Sequence, residues 1–293
     1  MDAFWIILTG SLVATCCALL GCFLLLRKMT MVGDAISHAV LPGIVFAYLI
    51  AQSRSSLPML IGAAAFGVLT TVLIEILHKN GKLQVDAAIG ISFTWLFALG
   101  VILITLFAGQ VDLDQDCVLY GEIAYVPLDV WLLDNGTSLG PRTVWILGFN
   151  LLVVLLFVLL GYKGLLITSF DTLLASALGI STAFWHYALM GAVSLTTVFS
   201  FESVGAILVV AFLVGPAAVA YLLTERLPAM LLYAVLAGII AAVGGYFLAV
   251  AIDGSIAGAM AAVIGVEFIA AFVMTQVKRK KSLPASEPQL TTS

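Results

Sequence analysis

Charge is scarce in this chain. Asp, Glu, Lys and Arg together make up 10% of its 293 residues, against 63% hydrophobic residues. A soluble domain carries about 25% charged side chains. So little charge cannot clothe a water-exposed surface, and the mean hydropathy of +1.20 implies that lipid covers most of it. No long polar block exists from which a second domain could be built. A G-x-x-x-x-G-K-[ST] loop is missing, which excludes ATP binding in the P-loop manner. An H-E-x-x-H pair is also missing, which excludes the usual intramembrane zinc-protease chemistry. The first apolar run lacks a basic leader and is too long for a cleavable signal peptide. No nucleic-acid partner is expected. The four cysteines do not resemble a disulfide framework. Cys16, Cys17 and Cys22 lie in the first apolar run, and only Cys117 falls in a polar stretch. They read as small apolar fillers or as a thiolate site for a soft metal.

Long apolar runs are what the chain has instead. A bilayer core of about 30 Å needs about 20 apolar residues as helix, and nine runs approach that length: Ala3 to Leu26, Gly33 to Ala51, Leu57 to Leu77, Ala87 to Ala108, Thr143 to Gly161, Ala183 to Phe199, Ser203 to Leu223, Pro228 to Ile252 and Gly258 to Val277. The break at Phe199–Ser203 is the least marked, so eight spans is the alternative count. Backbone amides in lipid must bond within their own segment or close into a barrel. Barrel strands alternate polar and apolar residues, and these runs are uniformly apolar. The expected fold is therefore all-α, a polytopic transmembrane bundle over residues 1–277 with a basic, disordered tail over 278–293.

Lysine and arginine set the orientation. With the N-terminus outside and nine spans, Arg27, Lys28, Lys79, Lys82, Lys163, Arg226, Lys278, Arg279, Lys280 and Lys281 all fall inside. Only Arg54 and Arg142 fall outside. Two stretches do not span. Gly109 to Arg142 is acidic, with Asp112, Asp114, Asp116, Glu122, Asp129 and Asp134; it is either a solvated face or a field that concentrates cations. Leu165 to Thr182 lies inside, where Ser169 or Asp171 would cap a short helix ending near Gly179.

Ionisable side chains inside membrane helices are costly and mark functional sites more often than not. Asp34 and His38 stand four residues apart, on one helix face, with about 5–6 Å between their β-carbons. A carboxylate and an imidazole aimed at one point suit a divalent first-row cation. The other reading is a pair that merely neutralises itself between helices. Pro42 and Gly43 follow and would free carbonyls to line a path. Glu202 and Asp253 belong at the outer interface, Glu267 is expected to bond to a neighbouring helix, and His186 reads as a packing histidine. Ser169 to Ile180 and Tyr221 to Pro228 are the natural contacts for a cytosolic partner.

At this point the motifs resemble a known family. Arg27 to Gly43, which reads RKMTMVGDAISHAVLPG, is similar to the signature of the permease subunits of ABC importers for manganese, zinc or iron (the ZnuB/MntB/TroD-like permeases). Ser203 to Ala220 resembles their second signature. Ser169-Phe170-Asp171 through Ala177-Leu178-Gly179-Ile180 resembles their cytoplasmic segment facing the ATPase. Asp112 to Cys117 with Gly121-Glu122 resembles the TroD-like branch in particular. One departure is local: the family often has an Asp-x-Pro-Ser-Gly turn before its last helix, where this chain has Asp253-Gly254-Ser255-Ile256-Ala257-Gly258.

The resemblance implies a multi-pass permease of the bacterial inner membrane that has no cofactor of its own and is not an enzyme. ATP hydrolysis would belong to cytosolic ABC ATPase subunits. An extracytoplasmic metal-binding protein and a second permease subunit, identical or paralogous, are the other implied partners besides the lipid bilayer. Asp34 and His38 would form the metal site, with Glu202 and Glu267 as possible accessories. Ser169, Phe170, Asp171, Leu174, Gly179, Thr224, Glu225 and Arg226 would couple to the ATPase. Two rivals are a proton-coupled secondary metal transporter with Asp34–His38 as its relay, and an intramembrane enzyme with Asp34 as its acid.

Overall fold

A computed structural model describes residues 2–51, 56–107, 123–132 and 138–282. Among these, nine helices of 18 residues or more form the bundle: α1 (Asp2–Leu26), α2 (Val32–Ala51), α3 (Ser56–Lys79), α4 (Val85–Phe107), α5 (Arg142–Phe170), α7 (Thr182–Val204), α8 (Ala206–Leu223), α9 (Leu227–Ile252) and α10 (Ile256–Ser282), with the short α6 (Thr172–Ala177) between α5 and α7. Eight have the length and hydropathy of a membrane span. The ninth, α7, is long enough but more polar, because Ser194, Thr196, Thr197, Ser200 and Ser203 all lie buried along it.

Helix α1 is the central post. It packs against α5, α7, α8 and α9, and Val13, Ala14, Cys17, Ala18, Leu20, Cys22 and Phe23 are all fully buried. Its three cysteines are buried and free, as small apolar fillers should be. On one side α2 is sandwiched by α3 and α4; on the other, α8, α9 and α10 pack on one another. Lipid tails are as apolar as leucine, so close backbone approach and interhelical hydrogen bonds hold such a bundle together. One such close approach joins α2 to α3: a β-carbon on Gly62 would lie 2.4 Å from the carbonyl oxygen of Gly43, and one on Gly43 equally close to that of Gly62. Asn150 of α5 donates to Thr196 of α7 at 3.3 Å, and Thr275 of α10 donates to the Leu222 carbonyl of α8 at 3.2 Å. Each such bond contributes about 0.6 kcal/mol.

Several boundaries differ from the expected ones. Helix α5 runs on past Gly161 to Phe170, because Lys163 can keep its stem along the helix while its ammonium reaches water. Helix α7 continues through Glu202 to Val204, and the break falls at Gly205, with φ 78° and ψ 164°, a region open in practice only to glycine. Helix α10 carries the Lys278–Lys281 cluster as helix to Ser282; residues 283–293 lie outside the described residues. Between α4 and α5, a 3-10 helix (Ile123–Leu128) precedes two antiparallel strands, β1 (Val130–Leu132) and β2 (Ser138–Pro141). Ile123 and Val126 of this unit are buried, and Trp5 of α1 fills the space where Gly140 has no side chain. The turn before α10 is closed by Asp253 in the left-handed conformation (φ 52°), which Asp tolerates better than most residues.

Candidate metal site and coupling surface

Asp34 stands in the first turn of α2, where the helix dipole favours a carboxylate. His38 follows one turn later, and its Nε2 lies 3.6 Å from Asp34 Oδ1. The imidazole is held against Phe93 and Phe97 of α4, each with its ring centroid 5.6 Å away. Both polar side chains remain open: 36% of Asp34 and 31% of His38 is exposed. Pro42 sits inside α2 without ending it. Its missing N–H removes the helical donor for the His38 carbonyl, one turn back. One face of α2 thus offers a carboxylate, an imidazole and a carbonyl freed of its usual partner. Among the described residues no group of three His, Cys, Asp or Glu side chains comes together to hold a metal. Asp34 and His38 stand as a pair on a face that is left half-open.

Of the other expected ligands, Glu267 is not brought to this pair. Glu267 lies in α10, which packs on α8 and α9; neither carboxylate oxygen has a hydrogen-bond partner among the described residues, contrary to the expected bond to a neighbouring helix. Glu202 lies in the last turn of α7. Asp112, Asp114, Asp116 and Glu122 fall outside the described residues.

The expected coupling segments are built and adjacent. Asp171, not Ser169, is the cap of α6: its Oδ1 accepts from the N–H groups of Leu173 and Leu174, both at 2.9 Å. The helix is closed by Gly179 at φ 75°. Phe170, Leu173, Leu174 and Leu178 are all largely exposed. In the α8–α9 turn, Thr224 Oγ1 accepts from the Arg226 N–H at 3.3 Å, and Glu225 is exposed. Phe170 and the Tyr221–Glu225 stretch line one cavity of about 640 Å³, together with Leu26, Leu227 and Met230.

A second polar cluster at this end was not expected. Glu75 is buried, bonded by Lys79 from the next turn of α3 and approached at 3.6 Å by His186 of α7. His186 thus faces a buried carboxylate and is not only a packing group. Arg27, in the turn between α1 and α2, donates to Ser169 Oγ at 3.1 Å and to Thr168 Oγ1 at 2.8 Å. Burial pushes its pKa down to about 10, which still leaves it cationic near neutrality. The Glu75–Lys79 spacing was a sequence signal for this cluster; the His186 and Arg27 contacts are tertiary.

Nine packed helices, eight of them long and apolar enough to span a membrane, with an ionisable pair inside the second, define a polytopic membrane protein. The model of the ABC 3 transport family (ABC-3) matches residues 3–275. The manganese transport system membrane protein MntD of Bacillus subtilis (strain 168) is 49% identical over 271 residues, covering 92% of this chain and 91% of that protein. The zinc transport system membrane protein TroD of Treponema pallidum (strain Nichols) is 44% identical over 275 residues, covering 92% and 73%. Among solved structures, a chain of PsaBC from Streptococcus pneumoniae in complex with Fab superposes with a TM-score of 0.76 at 32% identity, over 95% of this chain and 94% of that one. The chain belongs to the ABC 3 transport family.

Proposed function

We propose that this permease carries a divalent transition-metal cation, manganese, zinc or ferrous iron, across the bacterial inner membrane, and that Asp34 and His38 are its ligands on the way. The observation that carries the reading is the pair itself: oxygen and nitrogen donors one turn apart on a half-open face of α2. Such donors suit first-row divalent cations. Two ligands hold an ion without trapping it, and the matching pair of a second permease subunit facing this one would complete the coordination. The relatives' names cite manganese, zinc and chelated iron, and the donor set suits all three metals.

The orientation of the chain follows from the lysine and arginine bias. The end carrying Arg27, Lys79, Arg226 and Lys278 faces the cytosol. There a separate ATPase binds the exposed apolar side chains of α6 and the Thr224–Arg226 turn, and its ATP-driven closure moves both segments together through the cavity they share. An extracytoplasmic binding protein delivers the ion at the opposite end, over the acidic 109–142 stretch.

Radiometal uptake into proteoliposomes holding the permease with its ATPase tests this. Uptake should require ATP, and Asp34→Asn and His38→Ala should each cut it at least about tenfold per correctly inserted molecule, the loss expected when a ligand worth about 1.4 kcal/mol or more is removed. Wild-type rates in both variants would refute the site, and uptake driven by a proton gradient without ATP would refute the coupling. Competition among manganese, zinc and iron identifies the cargo.

A further inference from the structure

A cavity of about 510 Å³ opens at the lysine- and arginine-rich end of the bundle, between the α1–α2 turn, the end of α3 and the start of α7. It is separate from the Asp34–His38 pair, which does not line it. Five of its lining residues are basic: Arg27, Lys28, His78, Lys79 and His186. Its one acid, Glu75, is already engaged by Lys79 and His186. Arg27 has only hydroxyl partners in its hydrogen bonds, and among the described residues no carboxylate pairs with it. A guanidinium carries five N–H donors in a fixed fork suited to phosphate, so donors remain to be satisfied. Lys28 holds the left-handed conformation at φ 58°, which costs an L-residue about 1 kcal/mol or more relative to glycine. The chain accepts that strain at the cavity's edge and keeps a cation there.

The positive side chains of such a lining favour an anion over a cation. The rest of its lining mixes hydroxyl side chains, Thr168 and Ser169 among them, with an apolar stretch of Leu26, Met29, Val32, Ile74 and Met190. Basic pockets between membrane helices, at the level where headgroups lie, hold anionic lipid headgroups. We propose that this cavity binds the phosphoryl group of an anionic ligand through Arg27 and Lys28, with Lys79 and His186 behind them. Either an anionic phospholipid headgroup, its acyl chains along the apolar stretch, or free phosphate would present that group. Bound there, it bridges the α1–α2 turn to the Thr168–Ser169 end of α5, immediately before α6.

Native mass spectrometry and thermal melting of the full-length permease in detergent test the site, with dioleoyl phosphatidylglycerol, dioleoyl phosphatidylcholine and inorganic phosphate as separate probes. Phosphatidylglycerol should be retained and should raise the melting temperature where phosphatidylcholine does not. Arg27→Gln and Lys28→Gln should each weaken that retention about fivefold, as expected for one basic side chain near a headgroup. Lys163→Gln, outside the cavity, should not. Gln at position 27 keeps a donor for Ser169, and Lys28 has no side-chain bond to lose among the described residues, so folding and binding are separable. If phosphate alone stabilises the protein, displaces the lipid and depends on the same two residues, the site stands with free phosphate as its ligand. Equal retention of the two lipids with no effect of phosphate, or a preference untouched by both variants, overturns the proposal.

Discussion

His186 Nε2 lies 3.6 Å from Glu75 Oε2, joining α7 to α3 at the basic end of the bundle. Lys79 bonds the other oxygen of the same carboxylate, so one buried acid serves two bases. The contact predicts energetic coupling between positions 75 and 186. In a double-mutant cycle with Glu75→Gln and His186→Phe, read by thermal melting, the interaction should be about 0.5–3 kcal/mol. Additivity would show that the two side chains are neighbours without being partners.

Asp171 accepts two backbone N–H bonds at the start of a six-residue helix. A helix this short cannot hold itself by propagation, so its cap matters more than usual. Asp171→Ala should cost about 1 kcal/mol of local stability and lower ATP-driven uptake with membrane abundance unchanged. Asp171→Asn and Asp171→Ser keep an acceptor and should retain uptake. Equal loss in all three would point to the charge instead of the cap.

The Gly43–Gly62 contact leaves no room for a methyl group. Gly62→Ala should destabilise the purified protein by about 1–3 kcal/mol, the usual range for overpacking. Gly148→Ala in α5 is the matched control, because nothing stands within 4 Å of its would-be β-carbon. A Gly62→Ala protein as stable as wild type would mean that α2 and α3 can part without cost.

Both oxygens of Glu267 are buried without a partner among the described residues. An unsatisfied buried acceptor costs about 1–3 kcal/mol, and more if charged. Glu267→Leu should therefore raise the melting temperature of the isolated permease. A fall would reveal that a group outside this chain, such as a second permease subunit, holds the carboxylate.

The spans were legible because lipid imposes length and apolarity on each one, and the Asp34–His38 pair because two side chains on one helix need only correct spacing to meet. Asp171 was legible as a capping residue for the same local reason. What escaped depends on packing. Lys163 marked an apparent end to the fifth span, yet the helix carries it onward to Phe170. The Phe199–Ser203 stretch looked like a break between spans, but α7 runs through it with Ser200 and Ser203 buried, and the break falls at Gly205. The Glu75–His186 and Arg27–Ser169 contacts join separate helices, and no periodicity within one segment encodes them.

The buried hydroxyls of α7 also bear on how the protein is made. Segments enter the bilayer according to their own hydropathy before they pack, and α7 is a poor candidate to enter alone. The groups that receive it, Asn150 of α5 for Thr196 and the Ala64 carbonyl of α3 for Ser194, belong to helices synthesised earlier. Chain order alone brings α7 to the bilayer after the helices that meet Thr196 and Ser194 have been synthesised. The order of the helices along the chain acts as an assembly schedule, and a permuted gene that placed α7 first would lose it.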